Sequence, residues 1–199
     1  MQHDQLAIDA ICGEEPQALG DRTPLLAEVQ RLGGPANRAF VSADAFRDAL
    51  GHYASGITVI TGTDEQRPIG FTCQSFYSVS IEPPLVSFSV QKTSTTYPRI
   101  RAAGRFAVNV LTRDQQHVSN QFSRSGTDKW SGIGCSWTRS GNPVLDGTMM
   151  WLDCRIWAEH DAGDHVIVLG EVEEMRLQHG RAKDPLLYFK GRYRQLAAE

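Results

Sequence analysis

Ten serines and threonines fall within residues 70–98, "GFTCQSFYSVSIEPPLVSFSVQKTSTTYP", enough small hydroxyls to grip a polar, phosphate-bearing ligand. Each hydroxyl can donate or accept a hydrogen bond, and none brings a charge. The stretch runs into Lys92, Thr93, Ser94, Thr95 and Thr96 at the expected start of a helix, where free N–H groups, hydroxyls and an ammonium together favour an anion. A plainer account also holds locally: threonine is a good strand former and Ser94 a good helix cap. Capping and anion binding can coexist. A second group, Gly163-Asp164-His165 in "AEHDAGDHVIVLGEVEEM", has the composition of a hairpin turn, and one histidine there assigns no chemistry by itself.

Several familiar chemistries lack their motifs. "GIGCSW" has two of the three glycines of a dinucleotide fingerprint, without the strand and helix that must flank it. GxxxxGK[ST], HExxH and GxSxG are all absent. Cys12, Cys73, Cys135 and Cys154 stand far apart with no CxxC or Cys/His spacing, so a structural zinc site is not expected, nor any other metal. Cys73 reads as a small buried side chain without a redox role.

The elements that must position these residues are mostly short strands. Alternating or apolar runs occur in "ITVITG", "PIGFTCQSFYSVSI", "PLVSFSV", "RFAVNVL", "MMWLDCRIWAEH", "HVIVLGEVEEMRL" and "PLLYFKGRYRQL", bounded by Gly, Pro, Asp or Asn. In "MMWLDCRIWAEH", Met150, Leu152, Cys154, Ile156 and Ala158 form an apolar face against a mixed one. Many short strands without βαβ alternation predict a mainly β, antiparallel barrel, in which closure removes exposed edges. Three helices are expected around it: one opening at Ser42 with Phe46, Leu50 and Tyr53 at helical spacing, one from Ser94 to near Gly104, and one from Thr112 with Gln115 completing a capping box.

The chain of 199 residues suits one domain with an additional arm. Residues 1–40, punctuated by Pro16, Pro24, Gly33, Gly34 and Pro35, form that arm, with a short helix expected in "TPLLAEVQRL" and no role assigned; residues 41–199 form the domain. The arm holds six acidic and three basic side chains, leaving 17 of each in the rest. So balanced a body has no electrostatic footprint for nucleic acid. No apolar run approaches the ~20 residues of a membrane helix, and the N-terminus lacks the pattern of a signal peptide. With thiols expected to be free, the cytoplasm is the expected location.

Taken in order, "FRDALGHYASGITVIT", "PIGFTCQSFYSVSIEPPLVSFSVQKTST", "GRFAVNVL", "DKWSGI", "GDHVIVLGEVEEM" and "PLLYFKGRYRQL" resemble the short-chain flavin reductases, the reductase components of two-component flavin-dependent monooxygenases. The resemblance covers about residues 42–196 and leaves the arm outside it. It implies a Greek-key, flavin-binding split β-barrel that forms a homodimer, with FAD or FMN in a groove at or near the subunit interface. By the same resemblance, Thr72, Gln74, Ser75 and Phe76 lie along the isoalloxazine, and Ser89, Val90, Lys92, Ser94 and Thr95 serve the flavin, its phosphate above all. Asn109 and Val110 would edge the ring pocket, and Gly163, Asp164 and His165 would bind the nicotinamide of NADH, which is expected in preference to NADPH.

Phe122, Trp130, Tyr188 and Tyr193 are candidate pocket walls, although ordinary core or interface packing is the simpler account of each. The implied activity is hydride transfer from NADH to a flavin that is then passed to a separate monooxygenase. A flavin-binding electron carrier without NAD(P)H activity is the alternative, and a pyridoxamine-phosphate-oxidase-like barrel fits the motifs less well. Fold analogy alone separates none of these.

Overall fold

A flat sheet of seven strands places its outermost strands roughly 29 Å apart, yet here the two end strands are joined by three residues. In the computed structural model, which describes residues 41–178 and 184–196, the main sheet has the order β3-β2-β6-β9-β10-β5-β4, with every pair antiparallel. Its strands are β2 (Thr58–Asp64), β3 (Arg67–Cys73), β4 (Tyr77–Ser80), β5 (Leu85–Gln91), β6 (Arg105–Val110), β9 (Met150–Ala162) and β10 (His165–Leu177). Strand β3 ends at Cys73 and β4 begins at Tyr77, and the link through Gln74, Ser75 and Phe76 can span roughly 14 Å at most. The sheet must therefore roll up, bringing β3 against β5 along a seam.

That seam is bridged by a side chain instead of a backbone ladder. Tyr77 pairs with Ser87, so continuing the same register would place Ser75 opposite Ser89. There the Ser75 hydroxyl donates to the Ser89 carbonyl at 3.0 Å and accepts the Ser89 N–H at 2.8 Å. The barrel is closed by contact but split in its hydrogen bonding. The sequence run "PIGFTCQSFYSVSI", read as one strand, is in fact two strands meeting at this break.

Two smaller sheets and three helices complete the described residues. Strands β1 (Ser55–Gly56), β11 (Leu187–Phe189) and β12 (Arg192–Arg194) form one sheet, and β7 (Cys135–Trp137) pairs with β8 (Pro143–Leu145). Helix α1 is Ala43–Gly51, α2 is Tyr97–Ala103, and α3 is Gln116–Ser123 after a 3-10 turn at Arg113–Gln115. The expected capping contact at Thr112 is present, its N–H donating to Gln115 Oε1 at 3.1 Å. Ser94 acts slightly upstream of its expected place: Thr96 is the cap residue, while Ser94 Oγ accepts the Tyr97 N–H at 3.2 Å. Gly104, at φ +69°, ends α2 and returns its N–H to the Ile100 and Arg101 carbonyls.

Inside the barrel Phe88 meets Phe71, Tyr97 and Phe106 edge-on, with ring centroids 6.0, 6.0 and 5.1 Å away. Ile60, Ile100, Val108, Leu152, Cys154 and Val168 pack around this aromatic centre. A second cluster, containing Val59, Leu111, Val118, Phe122 and Leu145, fixes α3 against the outside of the barrel. Helix α1 behaves differently from its sequence pattern. Phe46 and Leu50 remain more than half exposed, so its apolar stripe is not part of this core.

The helix expected in "TPLLAEVQRL" and the rest of the arm lie outside the described residues. Among the described residues, no helix is long and apolar enough to cross a membrane, and no His, Cys, Asp and Glu side chains cluster as metal ligands would. Cys73, Cys135 and Cys154 are unpaired.

Candidate functional site

The split seam opens into a groove of about 880 Å³, the size of a cofactor pocket. One side is β3 and the Gln74-Ser75 link; the other is the end of β5 with the turn Thr93–Thr96. The end of α3 and the following loop through Trp130 form its wall, with His165 also on the lining. Each element places its residues for a local reason. The β3–β4 break turns Gln74 out to solvent, and the two-residue link between Ala162 and His165, with Gly163 at φ +64°, starts β10 beside the end of β5.

Of the residues expected to hold a flavin, Thr72, Gln74, Ser75, Ser89, Val90, Ser94 and Thr95 line this groove. Their hydroxyls are not equally available. Thr72 donates to the Ser119 carbonyl at 2.6 Å, tying β3 to α3, and Ser75 holds the seam. Gln74 and Thr95 make no side-chain hydrogen bond among the described residues, so their polar atoms face the groove uncommitted. Phe122 and Trp130 form an aromatic wall, edge-to-face at 5.0 Å. The buried Trp130 indole N–H has no hydrogen-bond partner among the described residues.

Six of the expected residues lie off this groove. Lys92 does not line the groove: its ammonium pairs with Asp161 at 3.0 Å and its N–H donates to the Asp164 carbonyl, which turns it toward the β9–β10 hairpin. Asn109 is fully buried, its amide donating to the Val59 carbonyl and Thr61 hydroxyl while its oxygen accepts the Leu145 N–H. It locks β2, β6 and β8 together and edges no pocket. Val110 beside it and Phe76, which packs on the barrel core, also lie off the groove. Tyr188 and Tyr193 meet edge-to-face at 5.3 Å behind α3, where the Tyr193 hydroxyl donates to Asn120 Oδ1.

The nicotinamide trio divides as well. His165 faces the groove, while Gly163 shapes the turn and Asp164 acts through its neighbour. Asp164 Oδ1 lies 2.8 Å from His165 Nδ1, and this hydrogen bond, with the imidazole's charge, holds its carboxyl below the usual range. A carboxylate only accepts, so Nδ1 carries the proton and Nε2 is left as the free face of the ring.

Three cations also stand on the lining. Arg99 is paired with Asp64 at 2.6 Å, and Arg67 lies on the β2–β3 hairpin. Lys129 donates to the Gly70 carbonyl at 3.1 Å, and burial pushes its pKa down. The segment "DKWSGI" carries part of the family resemblance, which was the available signal for Lys129.

Because Lys92 is engaged elsewhere, Lys92→Met should change flavin affinity by less than about twofold, an exposed ion pair contributing about 1 kcal/mol or less. Titration by quenching of flavin fluorescence measures this; a tenfold loss would return Lys92 to the phosphate.

Comparison with known proteins adds three relatives and a family. The family model described as "Flavin reductase like domain" matches residues 50–197. The chain is 40% identical over 161 residues to the reductase subunit HsaB of a flavin-dependent monooxygenase from Mycobacterium tuberculosis, covering 81% of this chain and 86% of that one. It is 40% identical over 169 residues to the FMN reductase (NADH) SmoA of Agrobacterium fabrum, covering 83% and 95%. Among solved structures, the NADH:FAD oxidoreductase SgcE6 of Streptomyces globisporus, in complex with NAD and FAD fragments, superposes with a TM-score of 0.73 at 32% identity, covering 80% and 98%.

Proposed function

The chain belongs to the flavin reductase-like family, and from that premise we propose that the seam groove is where hydride passes from NADH to FAD or FMN, the reduced flavin then leaving for a separate monooxygenase. The observation that carries this reading is the groove itself: hydroxyls and a free carboxamide along one side, an aromatic wall with an orphan indole donor on the other, and a tautomer-fixed histidine on its lining.

These residues fit a flavin. Gln74 would meet the polar edge of the ring, Trp130, backed by the fully buried Phe122, its apolar surface, and the Thr93–Thr96 turn its phosphate. Bound together, the cofactors supply the chemistry, a hydride moving from nicotinamide C4 to flavin N5 at an approach of about 3–3.5 Å. The protein's task is alignment. His165, steered by Asp164, presents Nε2 to the nicotinamide carboxamide. No side chain is required to move a proton.

The reading extends to assembly. Tyr77 and Ile81 on or beside the edge strand β4, and Phe46, Leu50 and Tyr53 on or beside α1, are all more than half exposed, Ile81 at 81%. Exposed apolar edge strands invite pairing unless they are covered, and a second copy of the chain is the proposed cover. Light scattering should give twice 22.0 kDa, and Ile81→Asp should shift the population toward monomer; a monomeric wild type would contradict this. The unpaired cysteines are in keeping with the cytoplasm.

The direct test is NADH and NADPH consumption by the purified protein with no flavin, then with FAD, FMN or riboflavin. NADH loss that depends on added flavin is expected. Flavin binding without consumption of either nicotinamide would favour the carrier alternative.

A further inference from the structure

Lys129 is the groove cation held most firmly without a counter-charge. Its ammonium donates to the Gly70 carbonyl, midway along β3, and has no ion-pair partner among the described residues. Elsewhere around the site Arg99 is neutralised by Asp64 and Lys92 by Asp161. The position is also built. Gln121 Nε2 donates to the carbonyls of Lys129 and Ser131 at 3.0 and 2.9 Å, and Asp128 Oδ1 accepts the Trp130 N–H at 3.0 Å. This segment is pinned to α3, and its lysine is aimed across β3.

The surroundings distinguish what this charge meets. Phe122 packs on the same glycine, since a Cβ at Gly70 would come within 2.9 Å of Phe122 Cε1. Trp130 adjoins it with its orphan N–H. Lys129 therefore adjoins the aromatic wall, on the loop that also carries Ser125 and Thr127, whereas the Thr93–Thr96 turn lies on a different element. An aromatic wall with a cation suits a ring that becomes electron-rich.

Resting on the flavin reading above, we infer that Lys129 binds the pyrimidine edge of the flavin ring and favours its reduced over its oxidised form. When hydride leaves nicotinamide C4 it forms the N5–H bond, NAD+ is released, and the ring gains one negative charge at N1–C2=O with no proton taken up. An ammonium near that edge interacts more strongly after the transfer than before it. Such differential interaction is what moves the equilibrium, and charge near N1 is a recognised means by which a protein tunes a flavin. Partial burial of the ammonium strengthens the effect by limiting solvent screening.

The experiment compares wild type, Lys129→Met and Lys129→Arg with riboflavin, FMN and FAD, measuring the oxidised-flavin dissociation constant and the midpoint potential of the bound flavin. Lys129→Met should lose about tenfold in preference for the reduced form, a fall of about 30 mV in potential, with all three flavins. Lys129→Arg should recover most of it. A loss confined to FMN and FAD would place the ammonium on the phosphate and overturn the inference. So would an unchanged potential accompanied by lower thermal stability, which would make Lys129 a prop for Gly70. If wild type binds none of the three flavins, the flavin reading itself fails, an outcome recognisable without any variant.

Discussion

Gly170→Ala is expected to destabilise the protein by about 3 kcal/mol, lowering Tm by roughly 6–12 °C for a chain of this size. Gly170 lies in β10 between Ile156 of β9 and Val86 of β5. A Cβ there would overlap Phe106 Cζ and lie 2.9 Å from Phe106 Cε1 and 3.2 Å from Cys154 Cβ. Phe106 cannot give way, because it is fully buried and edge-on to Phe88. The position matters beyond the core: the register of β10 on β9 shifts between Leu169 and Gly170, and such irregularities bend and twist the strand that carries them. His165 stands at the start of this strand. Thermal and urea unfolding check the prediction, and adding Phe106→Leu should cost less than the two single changes summed, because the smaller side chain frees the space the methyl needs. A change within 0.5 kcal/mol would show that the barrel repacks freely.

His165→Ala should raise KM for NADH about tenfold, equivalent to about 1.4 kcal/mol, while leaving the flavin dissociation constant within about twofold. The reasoning is geometric. His165 is positioned by Asp164 on one side of its ring, leaving Nε2 for the ligand, while the flavin contacts proposed above come from β3, β5 and the aromatic wall. Asp164→Asn should give a smaller version of the same effect, since an amide can still accept from Nδ1 but no longer enforces that tautomer. Steady-state kinetics with NADH varied at saturating flavin separate the terms. Equal losses of nicotinamide and flavin affinity would mean that His165 shapes the whole groove.

Much of this architecture was legible in the strands. Alternation in "RFAVNVL" and "MMWLDCRIWAEH" and the turn residues between runs give antiparallel β, and Leu152 and Cys154 point inward as expected. The break at Gln74–Phe76 was hidden because hydroxyl-bearing and apolar residues continue through it, and only the pairing of β3 and β4 at opposite ends of the sheet reveals that the chain crosses a seam there. Lys92 lies off the groove because its partner, Asp161, comes from a hairpin distant in sequence. Asn109 lies off it for a similar reason: its acceptors and donor lie on β2 and at Leu145, so a residue that looks available in "NVL" is consumed by the core. Lys129 went unassigned because it lies in a loop, where no periodicity marks which side chains face inward. The Gly-Asp-His group shows the converse, a turn by composition whose role came from the family and whose geometry, an Asp-fixed imidazole, only the fold supplies.

The most direct test of the central claim is anaerobic mixing of the protein with one equivalent of FAD or FMN and one of NADH, following the flavin's visible absorbance and the nicotinamide together. Loss of both signals in equal amounts, at a rate that depends on the protein and falls in His165→Ala, is the predicted result. Flavin that binds in the groove yet stays oxidised in the presence of NADH would contradict it.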